Sequence, residues 1–532
     1  MNIEGVRNSG ILMHISSLPS EYGIGDLGPE AYAFARTLAS TGAKLWQWLP
    51  LGPTGYGNSP YAARSSFAGN ELLLSPDLLC RDGYLEKEDL IHPEFSDEKV
   101  DFERVIAWKL PLVKKAAASF LKQNRRRKAY RDYLAREAHW LEDYALFMVL
   151  YEKYQDARWH TLWDHGEGYR DEKVINSLKK EKAAEIEIWY ALQYLFDTQL
   201  DELHLYTKSL GLRTIGDIPI FVGADSADAW AHLDLLKTDS EGHYSAVSGV
   251  PPDNFSATGQ LWGNPVYDWK KHEETGFIWW KQRIERLLHM TDILRIDHFR
   301  GFDAYYEIPA GAKTAEHGKW KKSPGKKLFE IIKRDMGELP IIAEDLGLMT
   351  DGVKRLRDSN HLPGMKIAMF GFSRDAKGDF NPDDDFLPMN YTRSFVAYTG
   401  THDNDTTRHW FDTLSDDDKH MVREYLACDD REAVWALIRA VMFSNADTAI
   451  IPMQDILELG GEARMNYPST CNDRNWTWRS SPVTPPSGKL STRWDGRMWK
   501  STSAVGPSPA HGRKIWRPRG ASAVTSATTG NR

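Results

Sequence analysis

Four apolar runs in this chain each end in an acidic residue. They are LRTIGD, ending at Asp217; DILRID, ending at Asp297; LPIIAED, which carries Glu344; and SFVAYTGTHD, ending at Asp403. Each run is short, rich in β-branched or aromatic residues, and followed by a Gly- or Pro-containing turn. That pattern predicts buried parallel strands, each delivering a carboxylate to one rim. In the LRID run, side chains two apart share a face of the strand, so Arg295 and Asp297 point the same way. An arginine beside a carboxylate keeps it ionised and orients it, as a nucleophile requires. Apolar neighbours before Glu344 predict a raised pKa, which suits a general acid. Its neighbour Asp345 faces the other way and is read as a cap for the next element. His298 and Arg300 are read as turn residues behind the acids. Asp403 with His402 is placed to clamp vicinal hydroxyls, with Asp405 supporting that loop and Asp217 in a Gly-Asp turn. Carboxylates converging with an arginine suit either sugar chemistry or a metal centre. Two carboxylates about 5–5.5 Å apart would serve retaining glycoside chemistry, and Asp297 and Glu344 on adjacent strands are the candidate pair.

Eight segments carry the strand pattern: 10–17, 44–51, 213–221, 293–297, 339–344, 364–370, 394–399 and 449–454. Helical patterns separate most of them, for example at 29–40 and 327–336. Alternation of this kind predicts a parallel sheet, and eight units without a dinucleotide fingerprint favour closure into a (β/α)8 TIM barrel. The expected body is 1–479, with large helical and loop insertions between strands. One is a mainly helical insertion at 80–210, within which QNRRRKAYRDY is read as a solvated helix face. The other, at 223–290, carries the polar, Pro/Gly-rich loop GVPPDNFSATGQLWGNP over the rim. Residues 480–532 are rich in Ser, Pro, Gly and Thr, too poor in aliphatic residues to offset ordering entropy, and are expected to be disordered. A shifted reading frame would produce such a tail.

The chain has 532 residues, 41% of them hydrophobic, and a formal charge of −8, so no broad basic face for nucleic acid is signalled. No run approaches the ~20 apolar residues of a membrane span, and the N-terminus lacks a secretory pattern. Three scattered cysteines fit a reducing compartment, so a cytoplasmic location is expected, without membrane or nucleic-acid partners. Loop aromatics Tyr56, Tyr61, Trp262 and Trp269 offer flat faces for sugar rings.

The segments at 9–28, 46–70, 216–230, 249–269, 294–302, 340–347, 398–406, 464–470 and 475–479 occur in one order. Together they resemble the amylomaltase family, also called 4-α-glucanotransferases or disproportionating enzymes, within the α-amylase superfamily. The resemblance implies that Asp297 is the nucleophile, Glu344 the acid/base and Asp403 the transition-state stabiliser. It also implies that Arg295, His402, Tyr61 and Asp217 bind the reacting glucosyl unit, with Trp262 and loop 249–265 on the acceptor side. Tyr56 and Asn466 are counted among the sugar-binding residues. The implied reaction passes α-1,4-glucan segments to the 4-hydroxyl of glucose or another maltooligosaccharide, with no metal and no organic cofactor. Asn254 stands where some relatives carry an aromatic. An α-glucan hydrolase of the same superfamily, a metal-dependent sugar isomerase and a non-catalytic glucan-binding protein are the alternatives.

Overall fold

A computed structural model describes residues 7–252, 256–347 and 349–481. Asn254 and the tail from 482 onward lie outside the described residues. Eight parallel strands form the barrel: β1 (Asn8–Leu12), β2 (Leu45–Gln47), β3 (Arg213–Ile218), β4 (Ile293–Ile296), β5 (Ile341–Ala343), β6 (Gly364–Ile367), β7 (Phe395–Tyr398) and β8 (Thr448–Pro452). Their spatial order runs β6-β7-β8-β1-β2-β3-β4-β5, the simple winding of a TIM barrel. Every residue of β2, β4 and β5 is buried, which explains why these runs are continuously apolar rather than alternating. The exceptions are Gln47, which ends β2, and Arg295, a buried arginine inside β4.

All eight predicted strands exist, and most are shorter than their apolar runs. After β1, for example, Ile15–Ser17 is a buried 3-10 turn. Apolar residues past a strand end pack the rim loops, and periodicity alone does not separate them from strand. The first crossover helix, Pro29–Thr41, starts with proline at its first turn and ends on Gly42 at φ 90°, a left-handed cap that favours glycine.

The barrel meets itself between β5 and β6. Among the described residues that seam carries one backbone hydrogen bond, from Ala343 N–H to the Pro363 carbonyl (2.9 Å). The Asp345 carboxylate spans the rest: it accepts from Met365 N–H (2.8 Å) and pairs with Arg357. A Cβ on Gly364 would come within 2.5 Å of that carboxylate, so the close approach requires glycine there. Asp345 therefore faces away from Glu344 but is not a helix cap. Thr350 caps the following helix, Asp351–Ser359, by accepting from Val353 N–H.

Between β2 and β3 the chain builds helices including Phe102–Asn124, Lys128–Arg136, Ala138–Tyr154 and the long Ala183–Ser209, which packs on β3. QNRRRKAYRDY is not one helix face. The chain turns at 125–127, and Tyr130 and Tyr133 are buried while the arginines stay exposed. The 223–290 stretch is more ordered than a rim loop. Its strands Ala246–Val250 and Gln260–Pro265 join Ala304–Pro309 and Lys319–Lys322 in a four-stranded antiparallel sheet. Trp269 is buried against Tyr267, His272 and Trp280, so it belongs to the core and not to a sugar platform. No helix among the described residues is long and apolar enough to cross a membrane.

Candidate active site

The register of β3, β4 and β5 assembles the acids. Asp217 pairs with Arg295 across β3 and β4, and Ile296 pairs with Ala343 across β4 and β5. The next residues along, Asp297 and Glu344, therefore sit side by side at the rim, tied by Glu344 N–H to the Ile296 carbonyl (3.0 Å). Arg295 Nη1 donates to both oxygens of Asp217 (2.8 and 2.7 Å), and Nη2 lies 2.9 Å from Asp297 Oδ1. Arg295 and Asp297 do share a face. Burial alone would weaken the guanidinium's hold on its proton, but Asp217 and then Asp297 raise it well above the ordinary arginine range. The arginine stays charged, and its charge favours the ionised form of the acids around it.

Exposure separates the two acids that Arg295 holds. The Asp217 side chain is 1% exposed and that of Asp297 is 30% exposed. Asp217 is a support; Asp297 presents an oxygen to the cleft. Tyr61 donates from its hydroxyl to Asp217 Oδ2 (2.7 Å). Burial, and next the Asp217 charge, push the phenol far above its usual range, so it remains a donor.

Glu344 is buried, and both of its oxygens accept backbone N–H donors, from His298 (2.7 Å) and Leu346 (2.7 Å). Those donors and Arg295 favour the carboxylate. Burial first, and the like charge of Asp297 second, outweigh them and push Glu344 up to about 8. Near neutrality Glu344 therefore keeps its proton, while its rim neighbour Asp297 is paired with Arg295. His298 reaches Glu344 because its backbone is left-handed (φ 51°). Its ring meets Trp262 edge to face at 4.8 Å, and burial lowers its pKa to about 4 despite Asp297, leaving it neutral. Trp262 thus meets the ring of the residue whose N–H holds Glu344, and is 38% exposed.

The third wall comes from the loop after β7 and a returning C-terminal segment. Asp403 has a side chain 45% exposed, with His402 Nε2 at 3.4 Å. Asn466 Nδ2 donates to Asp403 Oδ1 (2.6 Å). His402 stacks on Tyr61 (4.9 Å between centroids, 11° between planes), and Trp476 leans on both rings, at 5.6 Å from Tyr61 and 5.9 Å from His402. Asp405 braces the loop by accepting from Thr406 N–H and pairing with His409. Tyr56 stands apart: it is 78% exposed and its hydroxyl meets Cys471 rather than the acids.

Of the residues expected from the sequence, the fold brings together Asp217, Arg295, Asp297, Glu344, Tyr61, His402, Asp403, Asn466 and Trp262. Sequence reasoning missed Trp476, His298's hold on Glu344, and Arg464, which fastens the Asp403 segment. Trp476 and Arg464 lie in the NWTWR and RMNYPST segments, and order in sequence was their only signal. No group of three or more metal-ligating side chains forms among the described residues.

Residues 13–484 match the family model described as 4-alpha-glucanotransferase. A 4-alpha-glucanotransferase of Thermus thermophilus is 45% identical, over 92% of this chain and 97% of that one. The chloroplastic/amyloplastic 4-alpha-glucanotransferase of Solanum tuberosum is 42% identical, over 89% of this chain and 82% of its own length. The solved amylomaltase of Streptococcus agalactiae, in complex with acarbose, superposes with a TM-score of 0.87 at 38% identity, covering 94% of this chain and 99% of that one.

Proposed function

Because the chain belongs to the 4-alpha-glucanotransferase family, we propose that its rim acids carry out a retaining, two-step transfer of α-1,4-glucan segments. In the first step an Asp297 oxygen attacks the anomeric carbon. The bond from that carbon to the leaving 4-oxygen breaks, its electron pair goes to the oxygen, and Glu344 supplies the proton. A glucosyl ester on Asp297 remains. In the second step the 4-hydroxyl of an acceptor glucose or maltooligosaccharide gives its proton to the Glu344 carboxylate and attacks the same carbon. The ester bond breaks and Asp297 recovers its charge. One glycosidic bond is exchanged for another, with no cofactor in the balance.

The observation that carries this reading is the pairing of two acids in unlike settings at adjacent rim positions, Asp297 part-exposed and paired with Arg295, Glu344 buried and pushed up to about 8 by that burial. Asp403, aimed by Asn466, and His402 are assigned to the hydroxyls of the reacting sugar, with Tyr61 stacking beneath it. Trp262 is assigned to the acceptor sugar, because its part-exposed ring packs on His298, the residue that donates to Glu344. Retaining that sugar against the aromatic while excluding water favours transfer over hydrolysis. Three free cysteines support a working location in the cytoplasm.

A fluorinated glucosyl donor tests the reading, since its electron-poor ring slows breakdown of the ester. After proteolysis the label is expected on the peptide containing Asp297. A label on any other peptide, or donor turnover with no labelled peptide, would overturn the assignment. Incubation with maltotriose is expected to give a ladder of longer oligomers; glucose and maltose alone would point to a hydrolase.

A further inference from the structure

Arg464 lies in the returning segment, behind Asp403, with a side chain 20% exposed and stacked 4.5 Å over the Tyr467 ring. Its guanidinium joins three chain positions. Nε donates to the Asn466 carbonyl (2.8 Å), Nη2 donates to the Asp403 carbonyl (2.9 Å), and Nη1 lies 3.7 Å from Asp405 Oδ2. Among the described residues, two further hydrogen bonds join Asn466 itself to the loop carrying His402 and Asp403. These are Asn466 N–H to the His402 carbonyl (3.1 Å) and the Asn466 amide to the Asp403 carboxylate. Asp403 is the most exposed acid of the cluster, and its own N–H has only a long bond to Thr401 Oγ1 (3.4 Å).

From this we propose that Arg464 is a positioning residue for the transfer reaction. It clamps the Asp403 and Asn466 backbones so that the Asn466 amide aims the Asp403 carboxylate at the sugar. The proposal rests on the assignment of Asp403 to the reacting sugar. A planar fork with several donors can bridge carbonyls on two segments, whereas a lysine ammonium, a point charge on a flexible stem, cannot hold them in one geometry. A misplacement of about 1 Å in a catalytic group costs about 10²-fold in rate.

The test is a double-mutant cycle with maltotriose as substrate, reading kcat and KM separately. Arg464→Lys and Arg464→Met are each expected to lower kcat by about 10- to 100-fold, Met more than Lys, with KM changed less than about threefold. In an Asp403→Asn background the same Arg464→Lys change is expected to lower kcat by less than about twofold, because the group it aims is already lost. Thermal melting accompanies each variant. Equal fold-losses in the two backgrounds, a rise in KM without a fall in kcat, or a kcat loss that tracks a lowered melting temperature would overturn the proposal. Near-normal kcat for Asp403→Asn alone would instead remove the assignment on which the proposal rests.

Discussion

Replacing Asp297 with asparagine takes one negative charge from beside Glu344 and changes almost nothing in volume. Glu344 is held up at about 8 by burial first and by that charge second, so its midpoint must fall. Two unit charges on neighbouring parallel strands, about 5 Å apart, interact by about 3 kcal/mol at an effective dielectric of about 20, equivalent to about two pH units. Water reaching the partly exposed Asp297 screens some of this, so a fall of about one to two units is expected. Burial is unchanged by the substitution, and the midpoint stays above that of an ordinary glutamate. The assay is an NMR titration of protein labelled at the glutamate side-chain carboxyl carbon, with Glu344→Gln identifying the resonance. A midpoint that stays put or rises in Asp297→Asn refutes the claim that these two acids face one another. The same coupling shapes the reaction. In the proposed mechanism glycosylation needs the protonated form, so kcat/KM of the native enzyme is expected to fall as pH rises through about 8. Esterifying Asp297 in that mechanism would remove its charge, so Glu344 would release its proton more readily and the acid of the first step would become the base of the second.

Tyr61→Phe removes the donor 2.7 Å from buried Asp217, and losing this hydrogen bond to a carboxylate, which Arg295 still holds, is expected to destabilise the fold by about 1–3 kcal/mol, read by chemical denaturation; an unchanged midpoint would show that the bond contributes nothing. Trp262→Ala is expected to raise glucose release relative to oligomer growth from maltotriose, measured by chromatography of the products, because water then competes for the acceptor position; an unaltered product ratio would remove Trp262 from that role. Activity is expected to survive excess EDTA, because the Arg295 guanidinium occupies the space between Asp217 and Asp297 where a cation would have to sit; a loss restored by added Mg²⁺ or Mn²⁺ would contradict this.

The barrel was legible because its strands are buried on both faces, which writes each as an apolar run, and because chemistry requires a polar residue where the run stops. The shared face of Arg295 and Asp297 came from the two-residue pleat. The four-stranded sheet was not legible. Its edge strands, with sequences QLWGNP and KWKK, are short and at most partly buried apart from Pro265, and the central pairing of Ala246–Val250 with Ala304–Pro309 joins segments far apart in the chain. Asp345 was placed on the correct face, but its partners Arg357 and Met365 are chosen by the barrel seam, which no local pattern encodes. Arg464 and Trp476 enter the site from beyond β8, so their role depends on where the returning chain happens to lie.

Glu344 comes directly after β5, and among the described residues β5 borders a junction of the barrel not laced by a full ladder. A fluctuation that parts β5 from β6 would swing the proton donor away from its neighbour before the remaining strands separate. Warming should therefore extinguish turnover several degrees below the collapse of the circular-dichroism signal. Deuterium should enter at the Ala343 and Met365 amides sooner than at those of β1 or β8.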